Sequence, residues 1–368
     1  MQSGRGVVTA AAGKPTATVL LPVYNGADVV GSAIESVLAQ TWHDFELLII
    51  DDGSTDATTR ALAGYDDPRI RVEHNDRNLG LTATLNRGLA MARGNYIARM
   101  DADDICHPLR LERQIRFLDT NPEAGVVGSW TATVSTSVDY RMMVRARARA
   151  FAYKLLRADS HVFYPQRDAE IRFLLLFNNA LSHPSVMFRR TLMDEDGLRY
   201  DEGFSYAEDY EFWTRCAQYT RLANIPEVLL TYRQHSENTS KKYASETKSF
   251  ANLVRVRQLA AMGISMDEKE RDLHCALATF DFAGNLEDLT AAKLWLEKLV
   301  EFAIADLGVD RERAARLVSP YWFSACGATA DEGLAVWSIS RSPVFVSSRD
   351  LRRYKLLGRC LMHRSTRI

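Results

Sequence analysis

Phe45-Glu46-Leu47-Leu48-Ile49-Ile50-Asp51-Asp52-Gly53-Ser54 decides the fold. Its unbroken aliphatic run reads as a strand buried on both faces, the kind found in parallel sheets. The run stops at two acids and a glycine, and Ser54 or Thr55 can cap a helix running from Asp56 to Gly64. Upstream, Thr18 to Val23 predicts another strand, and Val30, Ile34, Val37 and Leu38 recur at helical spacing. Downstream come a short strand at Ile70 to Glu73 and a helix marked by Leu81, Leu85 and Leu89. A fourth strand, Tyr96-Ile97-Ala98, then runs into Arg99-Met100-Asp101-Ala102-Asp103-Asp104. Strand and helix in strict alternation imply parallel strands joined by right-handed crossovers, with helices on both faces.

Ligands of such sheets bind beyond the carboxyl ends of the strands. The unusual polar groups gather there: Tyr24-Asn25 after the first strand, Asp51-Asp52 after the second, and Asp101, Asp103 and Asp104 after the fourth. Three crowded carboxylates repel one another, and a hard divalent cation, magnesium or manganese, would relieve that. Asp101 and Asp103 share a face if their segment is extended. Asp104 has a plainer use as the cap of the next helix, which starts after Pro108 and carries Leu111, Ile115 and Leu118.

Further on, Val126 to Trp130 predicts a strand, Ile171 to Phe177 a helix, His183 to Phe188 a strand, Tyr206 to Ala217 a helix and Val228 to Tyr232 a strand. Helix formers dominate from about residue 241. We therefore expect a flexible tail at 1–14, an α/β half at 15–130, a second half at 131–240, and a helical region at 241–368. The basic segment Arg141 to Arg149 has no clear place, and 139–170 is atypical in spacing.

Composition limits the function. Apolar residues make up 46% of the 368, charged residues 25%, and the net charge is −1, which argues against a general nucleic-acid binder. No apolar run approaches the roughly 20 residues of a membrane span, and the N-terminus lacks the apolar core of a signal peptide. Five scattered cysteines, none spaced Cys-x-x-Cys, suit reduced thiols in the cytoplasm. Residues 341–368 carry Arg341, Arg349, Arg352, Arg353, Lys355, Arg359, Arg364 and Arg367 against one acid, Asp350. With the interleaved leucines, that segment is either an amphipathic helix on the cytoplasmic face of an anionic membrane or a basic helix docked by its leucines.

The ordered set Leu21-Pro22-Val23-Tyr24-Asn25, Asp51 to Asp56, Arg77-Asn78-Leu79-Gly80, Asp101 to Asp104, Ala207-Glu208-Asp209-Tyr210 and Tyr232-Arg233-Gln234-His235 resembles the inverting, metal-dependent glycosyltransferases of family 2. The resemblance covers roughly residues 17–240 and implies a GT-A fold: a Rossmann-like, mostly parallel sheet with helices on both faces, followed by a helical unit. It implies an enzyme that moves a sugar from a nucleotide-diphosphate sugar, UDP-linked, to a hydroxyl of a saccharide or lipid-linked glycan. Pro22, Tyr24 and Asn25 would floor the base and ribose, Asp51 or Asp52 would accept from the base, and Asn78 and Gly80 would line the donor site. Asp103 would ligate manganese or magnesium, Asp101 would contact ribose or metal, and His235 would join the metal or the diphosphate. Asp209 would be the general base, with Glu208 as the fallback. Arg233, or the hydroxyls of Ser236, Thr239 and Ser240, would meet phosphate, and His183 would lie near the acceptor.

Rival readings make different demands. A pyrophosphorylase needs a Gly-rich loop after the first strand, and a dehydrogenase needs Gly-x-Gly-x-x-Gly there; the chain has Pro22-Val23-Tyr24-Asn25-Gly26 instead. A non-catalytic scaffolding subunit of a polysaccharide assembly complex would have no need of Asp103, Asp209 and His235.

Overall fold

The computed structural model describes residues 14–135, 160–234, 243–342, 345, 355–357 and 359–360. The Arg141–Arg149 segment, His235, Ser236, Thr239, Ser240 and most of 341–368 lie outside them. The chain divides into two compact units. One comprises Met1–Val162, Ser182–Tyr200 and Glu227–His235, the other Phe163–Leu181, Asp201–Pro226 and Ser236–Ile368.

The first unit is built on a sheet. Strand β1 (Ala17–Val23), helix α1 (Val30–Leu38), β2 (Phe45–Asp51), α2 (Thr58–Leu62), β3 (Ile70–His74), α3 (Leu81–Met91) and β4 (Tyr96–Arg99) follow one another as expected. Every residue of β1, β2 and β4 is buried, whereas β3, at the sheet edge, is only partly covered. That burial follows from the aliphatic runs, which leave no polar face to present to water. β1 pairs in parallel with β2 and with β4, and β2 with β3.

Beyond β4 the sheet turns antiparallel through β5 (Ile105–Cys106), β6 (Ala124–Ser135), β7 (Ser160–Val162), β8 (Met187–Arg189) and β9 (Arg221–Gln234). The order is β3-β2-β1-β4-β8-β6-β9-β5, with β7 on β6. Helix α4 (Arg110–Thr120) lies between β5 and β6. The parallel expectation therefore holds for the four N-terminal strands; beyond them the pairings are antiparallel, so that β8 opposes β4 and β6, which opposes β8, again runs with β4. Residues 183–185, expected to open a strand, form one 3-10 turn instead, because Pro184 has no N–H to give a ladder. α2 starts at Thr58 without a side-chain cap, so Ser54 and Thr55 have other partners.

The second unit is helical: α5 (Asp168–Leu174), α6 (Glu208–Tyr219), α7 (Ala244–Ala261), α8 (Glu268–Ala278), α9 (Leu286–Ala305), α10 (Arg311–Ala328) and the short α11 (Leu334–Ser340). Asp267 and Asn285 close capping boxes at the starts of α8 and α9. Phe173, Leu176, Phe177, Trp295 and Trp322 lie in the core of this unit. Within it, fully buried His274 meets the Leu176 carbonyl through Nε2 at 2.8 Å and accepts from Trp295 Nε1 through Nδ1 at 3.1 Å. These partners fix a neutral ring with its proton on Nε2. No described helix is long and apolar enough to cross a membrane.

Burial pushes the His274 imidazole from its ordinary value near 6.5 down to about 4. The unfolded chain therefore takes up a proton that the folded one refuses as pH falls below 6.5. This group leaves stability intact above pH 6.5 and withdraws it on the way to pH 4, by about 3 kcal/mol over the whole interval. Urea unfolding at stepped pH should show His274→Gln, which keeps a donor and an acceptor, losing less stability across that window than the parent protein. Equal losses would sink the assignment.

Candidate active site

The rim of the parallel strands is tied together by side chains. Asn25, at φ 49°, accepts through Oδ1 from the Thr55 amide at 2.8 Å and the Asp56 amide at 3.3 Å. Its own amide donates to Ser54 Oγ at 2.9 Å. Asp56 accepts from the amides of Thr58 and Ala27, so its role is local. Pro22 is buried inside β1, and Tyr24 stands exposed just past its end.

Asp51 and Asp52 are both buried, and each is well supplied with donors. Asp51 accepts from the Ser54 amide at 3.0 Å and Thr59 Oγ1 at 2.9 Å, and lies 3.1 Å from His74 Nδ1. Burial alone would raise its pKa, but the bonds from Ser54, Thr59 and His74 outweigh it and hold the carboxyl below its usual range. Asp52 accepts from Asn75 Nδ2 at 2.6 Å, Leu79 N at 2.8 Å and Gly80 N at 3.0 Å. It thereby seats the Asn78–Gly80 turn, which Asn78 Oδ1 reinforces by accepting from Gly80 N at 3.0 Å. Gly53 completes the junction. At φ 68°, a Cβ there would lie 2.5 Å from the Arg77 carbonyl carbon, so only glycine lets the two loops touch.

At the end of β4, Asp101, Asp103 and Asp104 bring one carboxylate oxygen each within 4.8 Å of the others. Asp101 forms a close ion pair with the buried Arg99 guanidinium. Asp104 is fully buried, accepts from the Arg233 amide through Oδ1 at 3.1 Å, and has no partner for Oδ2 among the described residues. Burial first, then Asp103 and Asp101, push its carboxyl well above the ordinary range. Asp101 is raised too, by burial against the pull of Arg99. Asp104 is not a helix cap: the N-cap of α4 is Leu109, and no side chain caps it. An unpartnered buried carboxylate oxygen beside two more acids is a donor set of hard oxygens, and it fits a magnesium or manganese ion.

Three arginines surround these acids. Arg233 donates through Nη2 to the Val29 carbonyl at 3.1 Å and through Nε to the Asp103 carbonyl, so it shapes the turn from behind. Fully buried Arg110 donates through Nη2 to the Arg99 carbonyl at 2.6 Å and through Nε to Gln114 Oε1 at 3.1 Å. Nothing marked Arg110 in the sequence except a charge on the apolar stripe of α4. His183 is buried, 2.9 Å through Nε2 from the Tyr200 hydroxyl, and is driven well below its ordinary pKa by burial and then by Arg99. Asn86 holds the Tyr200 backbone at both its amide and its carbonyl.

In the second unit, Glu208 and Asp209 open α6, where the helix dipole favours acids. Asp209 accepts through Oδ2 from Asn179 Nδ2 at 2.7 Å and through Oδ1 from the Tyr210 amide at 2.7 Å. Glu208 is buried. Tyr206, at φ 67°, stacks on Tyr243 with ring centroids 4.3 Å apart.

Comparison with known proteins accords with this architecture. The profile described as "Glycosyl transferase family 2" matches residues 18–195. A Haemophilus influenzae protein, named only as an uncharacterized glycosyltransferase, is 31% identical over 243 residues, 66% of this chain and 72% of the relative. The succinoglycan biosynthesis protein ExoO of Rhizobium meliloti is 33% identical over 196 residues, covering 53% of this chain and 54% of its own length. Among solved structures, S. aureus TarS 1-349 in complex with UDP-GlcNAc superposes with a TM-score of 0.53 at 17% identity, over 95% of this chain and 89% of that one. The chain belongs to glycosyltransferase family 2, and it is an enzyme of the GT-A fold.

Proposed function

We propose that the enzyme takes a sugar from a UDP-linked donor and delivers it, with inversion, to a hydroxyl of a saccharide or lipid-linked glycan during assembly of a cell-surface polysaccharide. The observation that carries this reading is the buried oxygen of Asp104, without a partner among the described residues, inside the three-acid cluster at the end of β4. Support for the donor class comes from the UDP-GlcNAc bound to TarS, and for the pathway class from the name of ExoO.

Asp103 and Asp104 would hold a divalent cation, whose chemistry is to neutralise the charge that builds on a leaving diphosphate. Asp101, already balanced by Arg99, is suited to accept from a ribose hydroxyl. Asp51 or Asp52 would accept from a base N–H, each having further lone pairs to offer. Asp209 takes the proton from the acceptor hydroxyl, with Glu208 as the alternative. The acceptor oxygen then bonds to the anomeric carbon as the bond to the diphosphate oxygen breaks, and UDP leaves with the electron pair. Attack opposite the leaving group inverts that carbon, through an oxocarbenium-like transition state.

Thermal-shift measurement with UDP- and GDP-linked sugars, with and without manganese, tests the reading. A rise in Tm of several degrees is expected for a UDP sugar with manganese, and a smaller one for its GDP counterpart. No rise with any sugar nucleotide would overturn it.

A further inference from the structure

Asp209 does not stand alone at the start of α6; a second side chain is built to meet it. Asn179 lies in the irregular stretch after α5, and its Nδ2 donates to Asp209 Oδ2 at 2.7 Å while its Oδ1 accepts from the Leu181 amide at 3.1 Å. Its own amide donates to Asn178 Oδ1 at 2.9 Å. Both ends of the Asn179 carboxamide are thus committed, and the amide cannot flip without breaking a bond at each.

The segment carrying Asn179 is pinned with unusual thoroughness for a non-helical stretch. Tyr210, next to Asp209, donates through its hydroxyl to the Leu175 carbonyl at 2.6 Å. His274 meets the Leu176 carbonyl at 2.8 Å, and buried Arg255 donates to the Phe177 carbonyl at 2.6 Å. Asn224, also buried, donates to the Ala180 carbonyl at 3.1 Å. Four side chains from α6, α7, α8 and β9 therefore converge on a six-residue stretch. Buried carbonyls outside regular structure need such donors, and together these bonds fix the backbone that presents the Asn179 amide.

We propose that Asn179 is a positioning residue, holding the Asp209 carboxylate in one rotamer and in its ionised form. The inference rests on the reading of Asp209 as the base. A neutral N–H donor stabilises the carboxylate over the acid without adding a charge, and it leaves Asp209 unprotonated at the pH where a hydroxyl must be deprotonated. Other titratable or charged groups on the packed elements are Glu208 and the Glu211–Arg215 pair on α6, Tyr206 before it, and Tyr243, Glu246 and Arg255 at or along α7. Asn179 meets the carboxylate by a direct bond of 2.7 Å.

Asn179→Asp isolates the donor: it keeps the size and the acceptor for Leu181 N–H but sets a second carboxylate against the first. In full-length protein, Tm of this variant should fall by several degrees at pH 8 and recover toward pH 5, where the pair shares a proton. The exchanged double variant, Asn179→Asp with Asp209→Asn, restores the bond in reverse; it should recover Tm at pH 8 and remain inactive. With the sugar nucleotide that gives the largest thermal shift, nucleotide release by Asn179→Asp should fall tenfold or more at pH 7. The acidic limb of its kcat profile should move up by about one pH unit while the donor KM stays within twofold. A purely structural role would move Tm and leave that limb in place. If Asp209→Asn alone keeps its turnover, the base reading fails and the inference with it. If Asp209→Asn is inactive but Asn179→Asp keeps the parent acidic limb, the inference alone is overturned.

Discussion

Asp209→Asn should lower turnover by about 10²–10⁴-fold, the range that a positioned general base contributes. The donor KM should change little, because an acid that acts on the acceptor proton adds nothing to binding of the nucleotide. The substitution is isosteric, but Asn can accept from only one of the Asn179 amide and the Tyr210 N–H, so Tm is measured beside the rate and a parent-like Tm separates loss of the base from loss of fold. Glu208→Gln gives the comparison, since Glu208 occupies the same helix start but is buried. Single-turnover measurement separates the chemical step from product release. A surviving chemical step in the Asp209 variant, with loss in the Glu208 variant, would reverse the assignment.

The second large effect has opposite signs in two measurements. Asp103→Asn removes one of three mutually repelling acids, so without added metal the protein should gain stability, with Tm up by about 2 °C. The same change should abolish the Tm rise that manganese gives the parent protein and lower transfer by roughly 10²–10³-fold, as expected when stabilisation of developing charge is lost. A residue that merely supported the fold would lower Tm in both conditions. A variant with parent-like manganese response would remove Asp103 from the metal site.

Legibility in the sequence depended on how local the cause was. β1, β2 and β4 were readable because unbroken aliphatic runs can satisfy themselves only in the middle of a sheet, and the acids that stop those runs fall on the expected rim. β9 was read as Val228 to Tyr232 and spans Arg221–Gln234, since the alternation of Val228 to Tyr232 does not extend back through Pro226, which the strand nevertheless accommodates. Asp104 was read as a cap from its place before a helix. Its actual partner, the amide of Arg233, is 129 residues away. Asn179 and Asp209 are separated by 30 residues, and Arg110 and the Val186 carbonyl by 76. Such pairings are set by the order in which strands enter the sheet and helices pack, and no spacing rule reaches them. Asp51 and Asp52 were legible as a pair of acids, but not as the anchors of two different loops.

The mutual bonding of the rim loops bears on engineering. The turn after β1 is held by groups from the loop after β2, and the turn after β3 hangs on Asp52 and packs against Gly53. None of the three has a shape of its own to carry elsewhere. Grafting one of them from a relative to change donor preference would import side chains whose partners stayed behind. Exchange of specificity in this scaffold therefore requires residues 22–28, 51–58 and 75–80 to move as one cassette.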